Sequence, residues 1–216
     1  MASASVAGAS TPATTRTTFF AGYIAGITGT ATAFGVHVSI PTMTCPATGS
    51  IELQTEVELH TSGNFLVFSN SVSCSDGTAT SEGFEAGIFP SSGGFDAAAA
   101  NLATLPGDSL NMSLKIASSR KATMKISDTT AGTSASATAP VAGSLTSVEA
   151  GTGVFGSSPT VVPQFTPIAF TSLKVGSASL SSLSPGKYEI YNGNRLQVST
   201  GRLSSRGSFT NTFVHS

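Results

Sequence analysis

Tryptophan is missing from this 216-residue chain, and charge is scarce: Lys, Arg, Asp and Glu together make up 10% of it, where soluble domains carry roughly 25%. The formal net charge of −1 gives no electrostatic reason to expect nucleic acid or an anionic membrane as a partner. No apolar run approaches the ~20 residues that a spanning helix needs, so membrane insertion is not expected. Cysteine occurs twice, at Cys45 and Cys74, which excludes paired-cysteine zinc spacings and a disulfide-dense scaffold. The histidines, His37, His60 and His215, are scattered and suggest no metal site. GxSxG and GxxxxGK[ST] are both absent, so neither a nucleophile elbow nor a phosphate cradle is expected, and no cofactor is implied.

Small and hydroxyl residues fill the space. Glycine alone accounts for 23 positions, and mean hydropathy is +0.20. Apolar character is therefore spread thinly along the chain, as in short strands. A surface with few charges and almost no net charge has weak colloidal repulsion, which favours self-association into a homo-oligomer or polymer. A chain of this length suits one all-β domain with a core of its own.

Alternation of apolar and polar residues carries most of the fold information. In "TAFGVHVSIP", Phe34, Val36, Val38 and Ile40 share one face and Pro41 ends the run. "IELQTEVELH" puts Ile51, Leu53, Val57 and Leu59 on one side and Glu52, Gln54, Glu56, Glu58 and His60 on the other. "NFLVFSNSVSC" follows a Thr-Ser-Gly turn and completes a hairpin. "SLNMSLKIAS" and "KATMKISD" alternate cleanly around a turn at Ser118–Arg120, and Asn192–Gly193 marks a two-residue hairpin. "DAAAANLATL" reads as strand or loop despite its helix propensity, because both neighbours are β. "TTAGTSASATAPVAGS" reads as an edge strand or loop. About a dozen short strands without a convincing helix predict a two-sheet antiparallel β-sandwich of jelly-roll type over residues 18–216. Residues 1–17, rich in Ala, Ser and Thr, read as a flexible or exchanged N-terminal arm.

The start of the chain has no apolar signal-peptide core. Composition nevertheless suggests an extracellular or cell-surface protein, so the expectation is a mature chain whose signal has been removed. There the two cysteines would pair, closing a loop of about 30 residues worth roughly 3–4 kcal/mol in the chain-entropy model. Glu52, Glu56 and Glu58 form the densest charge. Alternate residues of one strand face lie about 7 Å apart. Such a row, with Gln54, can share protons or hold a ligand; the plainer reading is a solvated strand face.

Several segments together resemble the glutamic peptidases of the G1 (eqolisin) family, chiefly its bacterial members. They are "VSIPTMTC", "PGDSLNMSLKI" with "ATMKISDTTAG", and "FTPIAFTSLKVG" followed by "GKYEIYNGNRLQVSTGRLSSRGSFTNTFV". The resemblance covers roughly Phe19 to Val214. The resemblance implies a sandwich whose concave sheet presents a Gln and a Glu: the Glu activates water, and the Gln holds the oxyanion of the tetrahedral intermediate. Counting back from Cys74 and from Pro90 places the family Gln at Val67. The stretch "LTSVE" places the family Glu at Leu145, with Glu149 falling on a second, structural Glu of that motif. Gln54, in "ELQTEV", copies a fungal motif but lies too far upstream. Valine and leucine neither accept a proton nor donate a hydrogen bond. The resemblance therefore implies a non-catalytic protein of this fold, acting as a structural, self-assembling surface subunit. The alternatives are a glycan- or peptide-binding module using the concave sheet, with Gln54, Glu52, Glu56 and Glu58 as ligand contacts, and an acid-active endopeptidase with relocated catalytic residues.

Overall fold

A computed structural model describes residues 13–48, 50–92, 98–156 and 162–215. The chain runs through β1 (Thr14–Thr17), β2 (Phe20–Ala31), β3 (Ala33–Ser39), β4 (Met43–Thr44), β5 (Ser50–His60), β6 (Asn64–Ser75), β7 (Thr78–Pro90) and β8 (Ala98–Leu102). Next come β9 (Ser109–Ile116), β10 (Lys121–Asp128), β11 (Thr133–Pro140) and β12 (Leu145–Gly156). The last part holds β13 (Gln164–Phe165), β14 (Ile168–Val175), β15 (Ala178–Ser179), a 3-10 turn at Leu180–Leu183, β16 (Gly186–Asn192), β17 (Arg195–Thr200) and β18 (Phe209–Phe213).

Hydrogen bonds join the strands in the order β11-β10-β9-β3-β14-β18-β17-β16-β2-β12-β5-β6-β7-β8, every neighbour on that path being antiparallel. The path folds back on itself, so strands distant along it meet through their side chains. Phe34 of β3 stacks on Phe68 of β6 at 6.1 Å, and Tyr23 of β2 meets Phe209 of β18 edge-on at 5.0 Å. Between the layers lies one apolar core, to which Phe34, Val36, Val38, Leu53, Val57 and Leu59 all contribute. The antiparallel sandwich expected from alternation is what forms, and the inward faces of β3 and β5 are those the period-2 pattern marked.

Local expectations fare similarly. The stretch containing β8 is strand where it is described, while 93–97 fall outside the described residues. β11, all small and hydroxyl residues, is an edge strand at the end of the path. Asn192 pairs with Arg195 across the β16–β17 turn, where Gly193 takes φ +58°, a conformation that costs glycine little. Most of the expected arm lies outside the described residues, but Thr14–Thr17 pairs in parallel with Lys187–Ile190 and is therefore part of the sheet. Cys45 and Cys74 form the expected disulfide. Among the described residues, no helix is long and apolar enough to cross a membrane.

One buried amide ties the layers together. Asn211 Nδ2 donates to the Ala21 carbonyl at 2.8 Å and to Thr152 Oγ1 at 3.0 Å, while its Oδ1 accepts from Thr200 Oγ1 at 3.0 Å. It thereby links β2, β12, β17 and β18 beneath the face described next. All three polar residues of this knot are buried, so each bond satisfies a group that could not find water.

Candidate functional site

β5 is flanked by β6 and β12, and in all three strands the residues that alternate with the core point to the opposite, outward face. Register decides which of these outward side chains meet. Glu58 stands opposite Val67 on one side and Glu149 on the other. In the next row, Glu56 stands between Ser69 and Gly151, and Ser69 in turn faces Glu85 of β7. One row further, Gln54 lies between Ser71 and Gly153. Adjacent strands are about 4.8 Å apart, so Glu58 and Glu149 are immediate neighbours and Glu56 is a diagonal one.

Like charges this close resist ionisation. Burial first, and then the neighbouring Glu149 and Glu58, push the Glu56 carboxyl up from 4.5 to about 8. Glu149 rises from 4.5 to about 7, first through burial and then through Glu58. His60 Nε2 lies 2.9 Å from Glu58 Oε1, with the two side chains about one-third exposed. Its ring is set edge-on against Phe65 at 4.7 Å. At the far end of β5, Ser71 Oγ donates to Glu52 Oε1 at 2.5 Å.

Aromatic rings and glycines shape the surroundings. Phe155 lies over Gly153, where an added Cβ would come within 2.7 Å of its ring and 3.3 Å of Glu56 Oε1. Phe89 covers Gly87 in the same way, beside Glu85 Oε1. Phe20 packs over Gly22 and Gly151, is 2% exposed, and meets Tyr188 edge-on at 6.0 Å. The absence of side chains at 151 and 153 thus makes room for the Phe20 and Phe155 rings in the rows beside Glu56.

Each residue expected from sequence has a place. Glu52, Gln54, Glu56 and Glu58 share the outward face of β5, as read. Val67 is on that face too, in line with Glu58 and Glu149. Leu145 is not: it is 1% exposed and belongs to the core. The register shifts between the pairs Leu145–Ala31 and Ser147–Gly26, with the extra residues in β2; Leu145 packs in the core beyond the shift, whereas Glu149 is half-buried on the face. The acid on this stretch that reaches the face is Glu149. Carboxyls therefore cluster on this face beside Val67. Glu85 and the covering ring of Phe20 were missed, although alternation in "GFEAGIFP" would have marked Glu85 as outward. Among the described residues, no group of three or more His, Cys, Asp or Glu is arranged to hold a metal ion.

No protein-family model matches the chain, and no curated protein matches its sequence. Solved structures do match in shape. Scytalido-glutamic peptidase with a peptide-based transition-state analogue superposes with a TM-score of 0.60 at 14% identity, covering 91% of this chain and 98% of that one. SCP-B, a member of the eqolisin family of peptidases in complex with the tripeptide Ala-Ile-His, gives 0.58 at 14% identity with the same coverage. At this identity the likeness establishes the fold: this chain has an eqolisin-like β-sandwich.

Proposed function

We propose that the outward face of β5, β6 and β12 is a peptide-binding cleft that hydrolyses peptide bonds at acid pH. The carrying observation is the direct pairing of Glu58 with Glu149, with Glu56 diagonal to both. Burial and the neighbouring Glu58 push the Glu149 carboxyl up to about 7, so it keeps its proton at acid pH. The ionised member takes a proton from water as the water oxygen attacks the peptide carbonyl. The protonated member, or Glu56, donates a hydrogen bond to the carbonyl oxygen as negative charge develops. A carboxylic acid kept neutral by burial can serve as that donor, which is the part an amide plays in the resembling family. Proton return to the leaving nitrogen accompanies C–N cleavage. The peptidase names of the structural neighbours support a peptide as the ligand class. The disulfide supports an oxidising, extracellular setting.

A second reading keeps the cleft and drops the chemistry. Val67 stands in line with Glu58 and Glu149 and offers no donor, which favours a non-catalytic binding or surface subunit. Weak charge repulsion then favours assembly into a homo-oligomer. Digestion of an unfolded protein substrate between about pH 2 and 6, followed by mass spectrometry, separates the readings. Cleavage lost in both Glu58→Gln and Glu149→Gln supports the hydrolase. Intact substrate throughout supports the subunit, and sedimentation at high concentration then reports whether it assembles.

A further inference from the structure

The near-zero net charge conceals a separation of charge between two faces. Glu52, Glu56, Glu58, Glu85 and Glu149 all stand on the strands of the cleft layer. On the opposite layer, the outward positions of β3, β9, β10 and β14 carry Lys115, Lys121, Lys125, Lys174 and His37, all exposed, with Arg120 in the adjoining turn. The acids of these strands and their turns, Asp108 and Asp128, are buried and turned to backbone. Asp108 Oδ2 accepts from Leu105 N at 2.6 Å, and Asp128 Oδ1 accepts from Thr130 N at 2.7 Å and Ala131 N at 3.0 Å. Among the described residues, none of the four lysines has an ion-pair partner.

Register places Lys174 and His37 at a hollow, with Lys125 one strand beyond its Ser113 wall. Lys174, Gly35, Ser113 and Lys125 are successive Cα partners across β14, β3, β9 and β10. Three strand spacings put the two lysines about 14 Å apart. Gly35 between them leaves the floor open: an added Cβ would meet only the Met112 carbonyl oxygen, at 3.9 Å. A register shift between Thr171 and Lys174, with Ser172 at φ +56°, bends β14 at the rim. The result is a cavity of about 360 Å³ lined by His37, Asn111, Ser113 and Lys174 among others.

We propose that this face binds a linear acidic polysaccharide bearing carboxylates. Lysines spaced across a sheet match repeated negative charges, and the Ser, Thr and Asn side chains between them match hydroxyl groups. The outward positions of the four strands include no Phe, Tyr or Trp, so the stacking platforms on which single-stranded nucleic acid depends are missing. The surface lies on the other layer from the carboxyl cleft and does not depend on its chemistry. Binding there would hold the protein on a polyanionic matrix with the cleft facing away.

The test is calorimetric titration with polygalacturonate, with dextran as the neutral control and single-stranded DNA as the non-carbohydrate polyanion. The expected result is binding to polygalacturonate that weakens at least about tenfold between about 50 and 200 mM salt, no binding to dextran, and weaker binding to DNA. Lys125→Gln with Lys174→Gln should lower affinity at least about tenfold, and Glu58→Gln should leave it unchanged. Gly35→Leu fills the hollow and should also weaken binding; circular dichroism shows that each variant stays folded. No binding at low salt, equal binding of dextran or DNA, or full affinity in the folded lysine variant would overturn the proposal.

Discussion

Glu58 and Glu149 face each other across adjacent antiparallel strands, with Val67 completing the row on the other side of β5. An isolated outward glutamate is held by solvent alone. Here burial and carboxyl neighbours raise Glu149 to about 7 and Glu56, diagonal to the pair, to about 8.

Replacing either member of the pair should remove the acid-range activity proposed for the cleft. Glu149→Gln and Glu58→Gln are each expected to reduce cleavage of an unfolded substrate by about 100-fold or more. Val67→Gln would restore an amide to the same row and is expected to raise the rate. Substrate turnover across pH checks all three, and activity should decline above about pH 7 as Glu149 ionises.

Stability should fall as pH rises. For Glu56 the folded value, about 8, lies above the 4.5 of an ordinary glutamate. The folded state therefore holds this proton more tightly than the unfolded chain does. The associated stability is fully present below about 4.5 and is lost as pH climbs through 8. Each unit of difference corresponds to about 1.4 kcal/mol, so the loss should amount to a few kcal/mol. Urea unfolding at pH 4.5 and at pH 8 measures it. Glu56→Gln, which carries no charge at either pH, should flatten most of the slope.

Breaking the Asn211 knot should be costly. Asn211→Leu removes the amide donor to the Ala21 carbonyl and to Thr152 Oγ1 in a buried site, while Thr200 Oγ1 keeps the Tyr188 carbonyl as its partner. A loss of about 2–4 kcal/mol is expected from buried groups left unsatisfied, read as a lower denaturant midpoint. Thr152 lies in β12 between Gly151 and Gly153, so the same variant should also loosen the bed on which Phe20 and Phe155 rest.

Reduction of the disulfide should destabilise without changing the fold. Cys45 and Cys74 are 29 residues apart in sequence, and Cys74 is fully buried. A loop of this size contributes roughly 3–4 kcal/mol in the chain-entropy model. Unfolding curves with and without reductant, read alongside far-ultraviolet dichroism, check both parts.

Much of the architecture was legible before any coordinates. Strict alternation in β5 marked Leu53, Val57 and Leu59 as inward and the glutamate row as outward, because a strand's two faces are set by a period of two residues. The hairpin at Asn192–Gly193 and the edge character of β11 follow from turn chemistry and from the lack of bulky side chains. Segment resemblance pointed to the eqolisin-like sandwich that the structural neighbours show.

The candidate site was only half legible, and Leu145 and Glu149 show why. Motif matching put the family Glu at Leu145, which packs in the core beside a register shift against β2, whereas Glu149 stands on the outward face opposite Glu58. A bulge of this kind is set by how β12 packs against β2, not by the residues of β12 alone.

What the sequence by itself determined is therefore an all-β chain, the two faces of its regular strands, and a pair of cysteines able to close one loop. Only the tertiary structure decided that Glu58 would meet Glu149, that Phe20 would cover Gly151, and that Lys174 and Lys125 would flank Gly35. Alternation is a local property written into neighbouring residues. Cross-strand register joins residues far apart in the chain and is settled by the packing of the whole sandwich.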